Sequence, residues 1–296
     1  LISLISTLKS DINNKGNSQM FALKCIGEIG SLIDLSNTDL VNSILKLVHN
    51  DDINVFIPAS ESIGLMSVGS PTTILTNFIN AAKEDDQKYL TVYLFGIKSF
   101  VKKVNSIKNH MDKTVFDQIK NCIPMISDFL LPYTKDDFKD ISLIVSECLS
   151  GLVGISFDYT KQLINMATYT TINAIYIYMS SKYSKALTEK EKEEVISLVE
   201  QVDAKYDDEK PLLDSAIMLC IKFALTKNLC KELYEKGFLE KCLIGIESQQ
   251  SHNIIKKIGV EQITVNIGTQ LKSTSLSCVE LFIKSDILDQ LDYEYI

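Results

Sequence analysis

A short helical phrase recurs along this chain, and its spacing restricts the folds open to it. The phrase is a small or β-branched residue, two variable positions, Cys or Ser, an aliphatic, then Gly or Ser. Ala22, Cys25, Ile26 and Gly27 spell it first, Ala59, Ser62, Ile63 and Gly64 repeat it, and Val145, Cys148, Leu149 and Ser150 give it again. The first two copies lie about 37 residues apart, and the third follows after about two such intervals. Looser echoes run from Ser215 to Cys220 and from Ser275 to Val279. A period near 40 made of paired helices marks an α-solenoid, in which no unit buries its apolar face without a neighbour. The spacing therefore predicts an all-α protein that works by presenting surface.

The totals agree. Of 296 residues, 46% are hydrophobic and 23% charged, as in a folded globular chain. The net charge of -8 argues against nucleic acid as a partner, because neutralising phosphates needs a basic face. Every basic residue is Lys and Trp is absent, so two of the usual interface anchors are missing. Contact energy must then come from Tyr, Phe and aliphatics. The seven Cys form no CxxC pair and most sit in apolar helical runs, which reads as buried small hydrophobes in a reducing compartment. No apolar run reaches the length of a membrane span, so no membrane is expected. Leu1 opens the chain without an initiator Met or a signal-peptide pattern, which reads as a piece of a longer protein.

Helix signals follow one another along the chain. Leu1, Ile2, Leu4, Ile5 and Leu8 share a helical face, and a second helix is expected from Ser18 to Ile33. Ser36 reads as an N-cap, Pro58 as an interruption at the start of a helix, and Ser70 before Pro71 as a helix start. Gln87 to Val104 should be helical, Asn105 to Asp112 a long loop, and Thr114 to Leu131 a helix bent at Pro124. Thr188 with Glu191 spells a capping box. Helices over Glu209 to Leu225 and Leu229 to Glu247 follow. With no Gly- or Pro-rich linker, residues 1–296 read as a single array of about six to seven helical pairs.

One stretch departs from this pattern. Ile263, Thr264, Val265, Asn266 and Ile267 form a short run dense in β-branched residues. Gly259 and Gly268 bracket it, with Val260, Glu261 and Gln262 available as a turn. The expected element is a short β-hairpin insertion near 257–268, and Gly259 to Gly268 are the candidate partner-binding residues. A two-stranded ribbon is marginal in water, so it must rest on the array or on a partner.

Several phrases together resemble one family. They are Gly27-Glu28-Ile29-Gly30 with Ile33-Asp34-Leu35-Ser36; Ala59 with Ile63, Gly64, Ser67, Val68 and Gly69; and Ser146-Glu147-Cys148-Leu149. Gly259, Thr264, Val265 and Gly268, and then Leu288-Asp289-Gln290-Leu291-Asp292, complete the set. In this order they resemble the C-terminal third of the cullin-associated and neddylation-dissociated family, also described as TATA-binding-protein-interacting. Residues 156–187 match it poorly. The resemblance implies a HEAT-repeat superhelix that wraps an unmodified cullin in a cullin-RING ubiquitin ligase core, in cytoplasm and nucleus. It also implies a hairpin that competes with the substrate-receptor adaptor for the cullin's N-terminal domain, so that receptors exchange. Where the family's hairpin carries Pro-Phe-Lys-His, this chain has Val260-Glu261-Gln262-Ile263, which removes basic and aromatic contacts. A karyopherin-like transport receptor and a passive HEAT scaffold are the alternative readings.

No catalytic constellation is expected. His49, His110 and His252 are far apart in sequence and at no metal-ligand spacing, and the chain carries no phosphate-binding Gly loop or nucleophile elbow. Neither enzyme activity nor a cofactor is expected.

Overall fold

The computed structural model of the protein describes residues 2–14, 16–135, 138, 140–204, 211–247, 253–258 and 261–285. These residues are overwhelmingly helical and form two compact units, 1–133 with 147–157, and 134–146 with 158–296.

The first unit holds α1 (Ile2–Ile12), α2 (Asn17–Gly30), α3 (Leu40–Leu45), α4 (Ile53–Met66), α5 (Thr76–Glu84), α6 (Leu90–Ile107), α7 (Lys113–Leu130) and most of α8 (Ser142–Ile155). Helix α2 packs on α4, and α4 on α6. The recurring phrase lies in these contacts. A Cβ on Gly27 would sit 3.0 Å from the Ser62 Cα, and one on Gly64 would overlap the Gly96 carbonyl. A Cβ on Gly96 would come within 2.8 Å of the Ser60 carbonyl oxygen. The small residues thus let neighbouring helices approach at backbone distance. Around these contacts Ala22, Leu23, Ile26, Ala59, Ile63, Met66, Leu94, Ile97 and Phe100 are fully buried. Ser60 donates to the Val92 carbonyl, and the Cys148 thiol to the Leu94 carbonyl at 3.6 Å, so hydrogen bonds cross the same seams.

The second unit holds the first turn of α8, then α9 (Tyr159–Met166), α10 (Tyr169–Lys182), α11 (Glu189–Asp203), α12 (Pro211–Thr226), α13 (Cys230–Glu235), α14 (Phe238–Glu247) and α15 (Ile267–Lys284). Helix α10 packs on α12, α12 on α15, and α14 on α15. Two short strands, β1 (Asn253–Ile258) and β2 (Glu261–Asn266), pair antiparallel between α14 and α15 in the chain.

Several local expectations change. The Thr188–Glu191 capping box forms on both sides, and Thr168 with Thr171 makes a second one. Ser36 caps no helix: its N–H donates to Asp34 at 2.8 Å, and α3 begins at Leu40. A helical stretch does begin at Pro71, but Ser70 makes no cap bond and the first turn, Pro71–Leu75, is π-helical before α5 continues it. The Ser36 backbone N–H, the Ser36 hydroxyl and the Ser70 hydroxyl hold the Asp34 carboxyl below its ordinary value against the opposing effect of burial. Pro58 lies inside α4, whose start is capped by Asp52 accepting from the Asn54 N–H. The stretch expected as a long loop after Val104 is mostly the end of α6 and a 3-10 turn, Lys108–His110. The helix expected over Leu229 to Glu247 divides into α13 and α14 at Gly237, whose φ of 81° a side chain would strain.

Candidate functional site

The strand pair and the two helices flanking it are the candidate site. Its register sets Asn253 opposite Asn266, Ile254 opposite Val265, Ile255 opposite Thr264, Lys256 opposite Ile263, Lys257 opposite Gln262 and Ile258 opposite Glu261. Of the residues expected here, Glu261, Gln262, Ile263, Thr264, Val265 and Asn266 form β2, whereas Ile267 and Gly268 open α15. Glu261 and Gln262, expected in the turn, pair with β1 instead. Gly259 and Val260 lie outside the described residues. The residues missed from sequence are those of β1. Their signal was the run Asn-Ile-Ile-Lys-Lys-Ile, three β-branched residues within one strand length.

Helices α14 and α15 flank this element in the chain and pack on each other. A Cβ on Gly245 would overlap the Ser275 hydroxyl and lie 3.7 Å from Leu271, so the Ser275 side chain packs into the space that Gly245 leaves open. Cys242 and Cys278 stand one turn from this contact, and the neighbouring Cys278 thiol together with burial raises the Cys242 thiol above its ordinary value. This progression fixes an antiparallel register and brings buried Phe238 level with buried Phe282. On their outer sides Leu243, Ile244, Leu276 and Ile283 are exposed.

The first unit carries a separate feature. Leu4 and Leu8 of α1 with Phe21, Cys25 and Ile29 of α2 line an apolar groove of about 410 Å³, and Lys24 and Glu28 stand at its edge. Phe21 is 66% exposed, a large apolar surface for an aromatic ring. Glu28 reaches the Lys103 ammonium of α6 at 2.6 Å, and Lys98 of α6 reaches Glu147 of α8 at 2.6 Å.

Burial pushes the Cys122, Cys148 and Cys230 thiols above their ordinary value and that of Cys220 up to about 12. Such thiols carry almost no thiolate. Among the described residues no group of three or more His, Cys, Asp and Glu side chains is placed to hold a metal ion. His110 is exposed, and His252 lies outside the described residues. His49 is bound to Asp85, which also accepts from the Tyr93 hydroxyl at 2.7 Å, and the His49 ring meets Tyr89 at a tilt of 48° with centroids 4.4 Å apart. Among the described residues no helix is long and apolar enough to cross a membrane.

These elements define a helical protein of repeat-like character. No family model and no curated protein matches the chain. Among solved structures, it is similar to the crystal structure of an engineered protein, at 8% identity over 94% of this chain and 96% of that one, with a TM-score of 0.35.

Proposed function

We propose that this chain is a HEAT-repeat protein that binds the unmodified form of a cullin in a cullin-RING ligase core and assists substrate-receptor exchange. In this reading the strand pair is a hairpin that competes with the adaptor for the cullin N-terminal domain, and the chain works in cytoplasm and nucleus. The observation that carries the reading is the position of β1 and β2. They interrupt an otherwise helical repeat chain between α14 and α15, at the place where Gly259, Thr264, Val265 and Gly268 resemble the family's projecting element. The order of the resembling phrases along α2, α4 and α8 supports it further.

The mechanism would be negative coupling. If hairpin and adaptor compete, each weakens the other's affinity by the same factor, and a transient complex holding both can lose either. A pull-down of the full-length protein with unmodified and modified cullin tests the first step, with retention of the unmodified form alone expected. The second step is tested by replacing residues 254–265 with a short Gly-Ser link, which leaves α14 and α15 intact. Adaptor release from the cullin should slow while cullin binding persists. Release at the wild-type rate with normal cullin binding would remove the hairpin from the mechanism, and failure to retain any cullin would end the reading.

A further inference from the structure

Cys242 and Cys278 occupy facing positions on two helices that pack on each other. Both are fully buried. The Cys278 thiol donates to the Met218 carbonyl of α12 at 3.8 Å, and the neighbouring Cys278 thiol together with burial holds the Cys242 thiol above its ordinary value. One turn away, a Cβ on Gly245 would overlap the Ser275 hydroxyl oxygen and come within 3.3 Å of the Ser275 Cβ, so the missing side chain of Gly245 makes room for that of Ser275. A disulfide needs facing Cβ atoms at short range, and the antiparallel register that pairs Gly245 with Ser275 sets Cys242 opposite Cys278, one turn away. The other cysteines of this unit are engaged elsewhere. The Cys230 thiol faces the carbonyls of Leu225 and Leu281, at 3.9 Å and 4.0 Å, and Cys220 is buried on α12.

We propose that Cys242 and Cys278 form a redox-sensitive clamp, a dithiol that a small-molecule disulfide oxidises to a bond tying α14 to α15, the helices from which β1 and β2 emerge. One cysteine sulfur attacks the small disulfide, forming a mixed disulfide and releasing one small thiol. The second cysteine sulfur then displaces the other small thiol. The two cysteine protons end on the two released thiols, the protein is oxidised by two electrons and the small disulfide is reduced. The bond closes the segment 243–277 into a loop, which restricts the unfolded chain and stabilises the unit. Burial makes the reaction wait on local opening of the helix pair, so it responds to sustained oxidation and not to brief exposure. The inference is independent of the proposed partner.

The test uses the intact chain in native buffer with excess glutathione disulfide, followed by alkylation, trypsin and mass mapping. Cleavage after Lys231, Lys241, Lys256, Lys272 and Lys284 places Cys230, Cys242 and Cys278 on separate peptides. The expected product is the peptide 242–256 joined to 273–284 with loss of two hydrogens, reversed by dithiothreitol. Cys230→Ser should leave the cross-link intact and Cys242→Ser abolish it. Both peptides recovered alkylated after prolonged oxidation, linkage to any other cysteine, or linkage only in denaturant would each overturn the proposal.

Discussion

At the residue scale the fold depends on positions where a side chain is missing or minimal. Gly64 and Gly96 lie backbone to backbone, so Gly64→Ala has no flexible neighbour to displace. The expected cost is about 3 kcal/mol, read from the urea midpoint. Ser62 stands beside this contact with a buried hydroxyl that has no hydrogen-bond partner, in the phrase position that Cys fills in two other copies. Ser62→Ala should therefore raise stability by about 1 kcal/mol by removing an unsatisfied polar group, and a fall of that size would show that the hydroxyl is satisfied in solution. Asp85 gives a pH-dependent prediction. Burial raises its pKa, but hydrogen bonds from His49, Tyr93 and the Asp86 backbone N–H outweigh that and hold it below its ordinary 3.8. A carboxyl depressed in the folded state adds stability that is complete above its ordinary value and lost as pH falls through its lower folded value. Asp85→Asn should flatten the acid limb of stability measured from about pH 4 downward.

At the element scale, helix ends are set by local chemistry in some places and by packing in others. The reciprocal bonds between Thr188 and Glu191 start α11 in an exposed, highly charged turn that has little packing to define it. Thr188→Ala should cost about 1 kcal/mol, and adding Glu191→Ala should cost much less than the two changes taken separately, since each residue caps through the other. Denaturation of the two single variants and the double variant measures this directly. Pro58 and Pro124 show the opposite balance. Each removes a backbone donor within a helix, yet α4 and α7 run through them. Fully buried Ala59 and Ile63 follow Pro58, and buried Ile123 and Ile126 flank Pro124, so tertiary burial carries both helices past the break.

At the scale of the whole molecule, each unit draws stability from contacts between successive helices, so damage should stay near its source. Gly64→Ala should accelerate hydrogen exchange in α2, α4 and α6 while leaving α12, α14 and α15 at the wild-type rate. Mass spectrometry of exchanged peptides distinguishes this from a uniform loss of protection, which would mean that the chain opens as one cooperative body.

The sequence by itself determined the all-helical class, the position of the repeated small-residue seam and the Thr188 cap, because each rests on a local pattern or on a period that any helix must obey. It also marked the non-helical stretch through the β-branched residues of β2. What only the tertiary structure decided was pairing. That Glu261 and Gln262 belong to a strand, that Ile254 to Ile258 supply its partner, and that Ser70 faces Asp34 follow from what lies across from each residue. The meeting of Cys242 with Cys278 is of the same kind. A period along the chain records which face of a helix is buried, but the partner across that face is set by three-dimensional register, and in the α14–α15 pair that register seats the Ser275 side chain against Gly245.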